Sequence, residues 1–232
     1  TMNIVEGGVT APKGFQAAGI YAGIKKDKKD MAMIYSEVPC KAAGTFTTNV
    51  VKAAPVQWDK QIVYEYPTAR AVVVNSGIAN ACTGTEGFGY CEETAKKAAE
   101  VLGIGEKEVL VASTGVIGRQ LPIDKIKTGV EQLAKVLSES REAGSLAASA
   151  IMTTDTIRKE AAVQVEIGGR TVTIGGMSKG SGMIHPNMCT MLAFITTDAS
   201  ISKELLQKAL SEDVKDTYNM ISVDGDTSTN DT

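Results

Sequence analysis

The sequence predicts a layered α/β or α+β protein, and three observations carry that reading. Short apolar runs of strand length, such as "AVVV" at 71–74, sit between turn-forming clusters. Two alternating runs flank Gly168-Gly169, the signature of a β-hairpin with a primed turn. The helical patterns are segregated from the strands instead of following each one, which argues against simple βαβ alternation. At 232 residues the chain can bury a sizeable core, in one large or two small domains.

The elements follow in order. The N-terminal third mixes β-type runs with turns: "MAMIYSEV" (31–38), "AAGTFTTNVV" (42–51), "KQIVYEY" (60–66) and "RAVVVNSG" (70–77). The fully apolar "AVVV" suits a strand buried on both faces. "NSGIANACTGTEGFGY" (75–90), rich in Gly, Asn and Ser, reads as a long loop directly after that strand, a position where function often resides. "CEETAKKAAEVLGIG" (91–105) reads as a helix, with Ala95, Ala98, Ala99 and Leu102 on one face and Gly103 just past its end. "EVLVAS" is a strand that feeds a glycine-bearing turn. In 122–140, Ile126, Val130, Leu133 and Leu137 recur at helical spacing. A small-residue helix over 145–156 ends in a threonine cluster, and 161–176 is the hairpin. "CTMLAFITTDA" (189–199) is a buried strand, and 202–221 a helix with Ser202 as N-cap.

Composition narrows the function. A net charge of −3 is no footprint for nucleic acid or an anionic membrane. No apolar run has the length of a membrane span, and the start lacks the basic and apolar regions of a secretory signal, so a cytoplasmic protein is expected. Cys40, Cys82, Cys91 and Cys189 form no CxxC pair and read as reduced, mostly buried thiols. His185 is the one histidine, so a His-rich zinc site within the chain is excluded, and no clustered cysteines supply another. The scarcity of imidazole points to a nucleophile that needs none.

Several stretches could carry chemistry. In "ASTGVIG" (112–118), Thr114 and Gly115 can turn a hydroxyl and backbone N–H groups toward one point, as an oxyanion site requires; a plain strand-ending turn is the simpler local account. "IMTTDT" (151–156) gathers polar side chains at a helix end, which capping also explains. "GGMSKGSGM" (175–183) reads as a glycine-rich loop around Lys179, a cation for a carboxylate or a solvated surface residue. "DGDTSTND" (224–231) lacks the spacing of a calcium loop. Thr190 follows the small Cys189 after a Gly- and Pro-containing turn. A threonine hydroxyl is a weak nucleophile unless a base adjoins it, and its own α-amine can be that base once the preceding peptide bond is cut. A buried structural threonine remains the alternative at this point.

Seven stretches occur together and in order: "GGVTAPKGFQAAGIYAGIK", "TFTTNVVKAAPV", "VNSGIANACTG", "STGVIGRQLP", "AIMTTDT", "KGSGMIHPNMCTMLAFITTDA" and "SVDGDTSTNDT". Together they resemble the bifunctional ornithine acetyltransferase/N-acetylglutamate synthase family of arginine biosynthesis. Departures are Ile78, where relatives commonly carry Asn, and Cys189, where many carry Ala.

The resemblance implies a sheet sandwich flanked by helices, similar to N-terminal-nucleophile self-processing enzymes. It implies scission between Cys189 and Thr190, which divides the chain into an α-fragment region, 1–189, and the start of a β-fragment, 190–232. Thr190 becomes the acyl-accepting nucleophile, Thr114 and Gly115 the oxyanion hole, and Lys179 a substrate contact. The substrate-binding threonine falls on Thr153, with Thr154 the near alternative. The implied reaction moves the acetyl group of N2-acetyl-L-ornithine to L-glutamate with no cofactor, and acetyl-CoA is a co-substrate in bifunctional members. Paired fragments would associate as a heterotetramer. The family's chain continues beyond "TSTNDT", so these residues are expected to be one piece of a longer protein. Two other readings are a self-processing aminopeptidase or amidase of similar architecture, and a non-catalytic binding module.

Overall fold

The computed structural model describes residues 2–182, 191–225 and 228–232. Its elements are β1 (Met2–Val5), β2 (Phe15–Ile20), β3 (Met31–Cys40), α1 (Ala54–Glu65), β4 (Ala69–Ile78), α2 (Gly84–Leu102), β5 (Val109–Val116), α3 (Ile123–Lys135), α4 (Arg141–Ala150), β6 (Lys159–Ile167), β7 (Arg170–Lys179), β8 (Leu192–Thr197) and α5 (Lys203–Asp216). Among the described residues they form two four-stranded sheets. One has the order β2-β3-β4-β5, with β4 and β5 parallel and the other pairs antiparallel; the second is β1-β6-β7-β8, antiparallel throughout.

The alternation of side chains along β4 sorts the core into two layers. Ala71 and Val73, with Val109 and Val111 of β5, pack against Trp58, Ala95, Ala98, Ile126 and Leu133 of α1, α2 and α3. Val74 and Ala112 face the other way, toward Ala147, Ala148 and Ile151 at α4 and Met177, Leu192 and Phe194 of the second sheet. Both faces are covered, which is why "AVVV" is apolar throughout. Helix α4 lies against β2 and β3 and also touches β6 and β7, so the layer between the sheets contains a helix. Gly19 permits this contact: a Cβ there would lie 2.1 Å from the Leu146 carbonyl oxygen. The layered α/β expectation stands, as does the hairpin, whose Gly168 and Gly169 have φ of 58° and 75°. Ser202 caps α5 by accepting the Leu205 N–H.

Some local expectations are corrected. Residues 60–66 are not a strand but part of α1, which opens with Pro55 in its first turn and buries Val56, Trp58, Asp59, Ile62 and Val63 at helical spacing. Residues 42–51 make no ladder; instead Thr47 and Ala53 donate backbone N–H bonds singly to the carbonyls of Asp231 and Thr229. The expected loop 75–90 is strand through Ile78 and helix from Gly84, because Gly87 lets the helix close over Asn80 and Thr83. Helices α3 and α5 end at Lys135 and Asp216, short of the expected 140 and 221, while α4 covers 141–150 instead of 145–156. Of the cysteines expected to be mostly buried, Cys91 is, Cys40 is half-buried and Cys82 exposed.

Strand β5 is an edge, and its outward backbone groups are met by side chains. Trp58 Nε1 donates to the Val109 carbonyl at 2.9 Å, and Asp59 accepts the Val111 N–H at 2.8 Å. Burial pushes the Asp59 carboxyl well above the usual range. Asn230 extends the row, its Nδ2 donating to the carbonyls of Ser113 at 2.9 Å and Ala79 at 2.5 Å. The stretch 228–232 thus closes the sheet edge and keeps it from pairing elsewhere. Asn230→Ala strands two buried carbonyls, so a loss of about 2–4 kcal/mol in urea unfolding is expected. A loss under about 0.5 kcal/mol would show that the stretch is not held there.

Candidate active site

The carboxyl ends of parallel β4 and β5 are where open sheets commonly bind ligands. Here Gly77 pairs with Gly115 and Ser76 with Thr114. Gly115 has φ of 132° and Gly77 of 112°, conformations that favour glycine. A Cβ on Gly115 would lie 2.3 Å from the Gly77 carbonyl carbon, and one on Gly77 would lie 2.9 Å from Lys25 Cγ. The glycine-bearing turn expected after "EVLVAS" begins later than predicted, since β5 runs on through Val116. The strand ends are fixed by Ser113 Oγ donating to Asn75 Oδ1 at 2.6 Å and by Asn75 Nδ2 donating to the Ile78 carbonyl at 2.8 Å. Thr114 is buried and the adjacent Gly115 exposed, so a held hydroxyl adjoins an accessible backbone.

Lys179 reaches this point from the other sheet. The expected glycine loop around it is corrected: Gly175–Lys179 continue β7, because the narrow Gly175 tolerates the Gly8 carbonyl 2.0 Å from where its Cβ would be. Lys179 is only 2% exposed, and its Nζ donates to Thr114 Oγ1 at 3.3 Å. It is therefore no solvated surface residue. Burial lowers its pKa, the charges of Asp155 and Asp231 act to raise it, and Lys159 opposes them.

The threonine cluster after α4 closes the same region. Asp155 accepts from Lys159 Nζ at 2.6 Å and from the Gly180 N–H at 2.9 Å through Oδ1, and from the Thr153 N–H at 3.3 Å through Oδ2. Burial alone would raise the Asp155 pKa, but these three donors outweigh it and hold the carboxyl below its usual value. Thr154 shares a hydrogen bond of 2.6 Å with Ser181, while Thr153 is half-buried. Both candidate threonines thus sit beside the end of β7.

The strand that follows the candidate nucleophile in sequence is β8, which begins at Leu192. Cys189, Thr190 and His185 lie outside the described residues. Met191 N–H donates to Asp231 Oδ1 at 2.8 Å, and backbone bonds join Met191 and Ala193 to Thr232. The stretch 228–232 therefore touches β5 through Asn230 and the start of β8 through Asp231 and Thr232.

Two residues here were not singled out from sequence. Lys25 lays its stem over Gly77 and donates from Nζ to the Met152 carbonyl at 2.8 Å; burial lowers its pKa to about 8, with Asp30 opposing. Asp231 ends the acidic run that lacks the spacing of a calcium loop. Neither carried a local signal beyond membership of a matching stretch. Among the described residues no group of His, Cys, Asp and Glu could hold a metal ion, and no helix is long and apolar enough to cross a membrane.

A family model describing the ArgJ family matches residues 16–232. The chain belongs to the ArgJ family. It is 54% identical over 231 residues to the "Arginine biosynthesis bifunctional protein ArgJ" of Caldanaerobacter subterraneus subsp. tengcongensis, covering 100% of this chain and 57% of that protein. It thus spans little more than half the length of such ArgJ relatives. The crystal structure of an arginine biosynthesis bifunctional protein ArgJ from Bacillus halodurans matches with a TM-score of 0.77 at 43% identity, covering 81% of this chain and 98% of that one. Ornithine acetyltransferase from Mycobacterium tuberculosis, solved in complex with ornithine, matches with a TM-score of 0.75 at 44% identity, covering 80% of this chain and 98% of that one.

Proposed function

We propose that the full protein transfers an acetyl group from N2-acetyl-L-ornithine to L-glutamate in arginine biosynthesis, through an acetyl ester on Thr190. The Thr190 hydroxyl first attacks the Cys189 carbonyl; the C–N bond breaks, which frees the threonine amine and leaves an ester, and water then hydrolyses that ester to the Cys189 carboxylate and the free Thr190 hydroxyl. That amine then accepts the hydroxyl proton as the oxygen attacks the acetyl carbonyl. Thr114 and Gly115 stabilise the oxyanion, Lys179 supplies positive charge beside them, and Thr153, or Thr154 next to it, contacts substrate. The observation that carries the reading is the Thr114 hydroxyl held by buried Lys179 beside the exposed Gly115 backbone. Family membership and the ornithine-bound relative support the substrate class.

Scission between Cys189 and Thr190 divides the chain into an α-fragment, 1–189, and a β-fragment beginning at Thr190. The fragments pair as a heterotetramer in the cytoplasm. No cofactor is needed; acetyl-CoA is a further acetyl donor in bifunctional members of the family.

The test uses full-length protein, N-acetylornithine labelled in the acetyl group, and glutamate. Label in N-acetylglutamate supports transfer; label released as acetate supports an amidase and overturns the proposal. Lys179→Met should lower kcat/KM by ~10²-fold or more, because the oxyanion site loses its adjacent charge. A loss under about threefold would remove Lys179 from the machinery.

A further inference from the structure

Asp231 is 1% exposed, and its Oδ2 is the one buried side-chain N or O atom without a hydrogen-bond partner among the described residues. Native proteins seldom leave such an oxygen unmet, because its desolvation goes uncompensated. Its other oxygen accepts the Met191 N–H, and its backbone carbonyl accepts the Thr47 N–H. Lys179 is the charged group that faces it, from β7; beyond Lys179 stand Asp155 and Lys159. We propose that Asp231 is a positioning residue of this site, fixing the start of β8 through Met191 and setting the charge beside Lys179 so that Lys179 stays directed at the Thr114 hydroxyl. The inference rests on the acyl-transfer reading of the site.

Burial raises the Asp231 carboxyl to about 7, against the pull of the Met191 N–H, Ser228 and the Lys179 charge. The raised value has a definite sign for stability. Between about pH 4 and about pH 7 the native carboxyl keeps a proton that the unfolded chain releases, so this group costs stability as pH rises through that window. A carboxylate kept at such a cost fits a functional role better than a structural one.

The experiment is Asp231→Asn in the full-length protein, followed by acetyl-transfer kinetics from about pH 6 to about pH 9 and by thermal melting at about pH 8. The amide oxygen can still accept the Met191 N–H while the charge is gone. In the unsubstituted protein kcat should rise as pH passes about 7. The variant should lose the part of that rise near about 7 and keep only the later rise set by the Thr190 α-amine, whose free pKa is about 8, with kcat down about tenfold or more at the alkaline end and KM within about twofold. It should melt no lower than the unsubstituted protein, and Asp231→Glu should restore part of the lost rise. An Asp231→Asn protein that keeps that rise and the rate overturns the inference alone, as does one that melts lower with an unchanged pH profile. An unsubstituted protein that transfers no acetyl group overturns the acyl-transfer reading and this inference with it.

Discussion

Gly115→Ala should unfold or nearly unfold the protein and abolish acetyl transfer. The added methyl would start 2.3 Å from the Gly77 carbonyl carbon and 2.5 Å from its oxygen, and the obstruction is backbone, not a movable side-chain tip. Relief requires β5 to separate from β4 at the point where the two glycines are paired. The φ of 132° adds strain for any residue with a Cβ. Overpacking and backbone strain together make a loss of about 4–6 kcal/mol the expectation, a large share of a typical domain's stability. Denaturant midpoints measure it. Any fraction that folds would have moved the backbone beside Thr114, so acetyl transfer should fall by at least ~10²-fold in that fraction. A variant within about 1 kcal/mol of the parent, and active, would contradict the paired-glycine geometry.

Thr190→Ala should yield an uncut chain with no acetyl-enzyme. The hydroxyl is needed twice in the proposed chemistry, once to attack the Cys189 carbonyl and once to accept acetyl. Loss of a nucleophile that forms the covalent intermediate lowers turnover by about 10⁴-fold or more. Gel electrophoresis of the purified full-length variant reads the first step and acetyl transfer the second. Thr190→Ser should cut and transfer, more slowly. Normal scission in Thr190→Ala would remove the threonine from the mechanism.

The layered fold was legible where local pattern and tertiary packing agree. "AVVV" is continuous because helices cover one face of β4 and α4 with the second sheet covers the other. The Gly168-Gly169 hairpin and the Ser202 cap are local chemistry, so sequence suffices for them. Residues 60–66 mislead because "KQIVYEY" is a short run rich in β-formers, while its burial is set by Trp58 and Asp59 reaching the edge of β5, a contact more than fifty positions away in sequence. Residues 42–51 mislead because their extended partner is 228–232, at the far end of the chain. The glycines of 84–90 resemble a loop, yet one of them is what lets α2 start over Asn80.

The site divides in the same way. Thr114, Gly115 and Lys179 were picked out by residue type and by resemblance, and the fold brings them together from two sheets. Lys25 and Asp231 were not, because their importance comes from what they meet. Lys25 matters through Gly77 and Met152, and Asp231 through Met191 and Lys179, none of them a sequence neighbour within ten positions. No spacing rule would have linked them. The acidic run containing Asp231 superficially resembles a cation loop, whereas in the fold its last residues act singly, Asn230 on the carbonyls of Ser113 and Ala79 and Asp231 on Met191.

Intact mass spectrometry of the full-length protein, before and after N-acetylornithine and again after glutamate, reads scission, acetylation and transfer in one experiment. A fragment beginning at Thr190 should gain one acetyl group from N-acetylornithine and lose it to glutamate. An unsplit chain, or a split one that never becomes acetylated, would contradict acetyl transfer through Thr190.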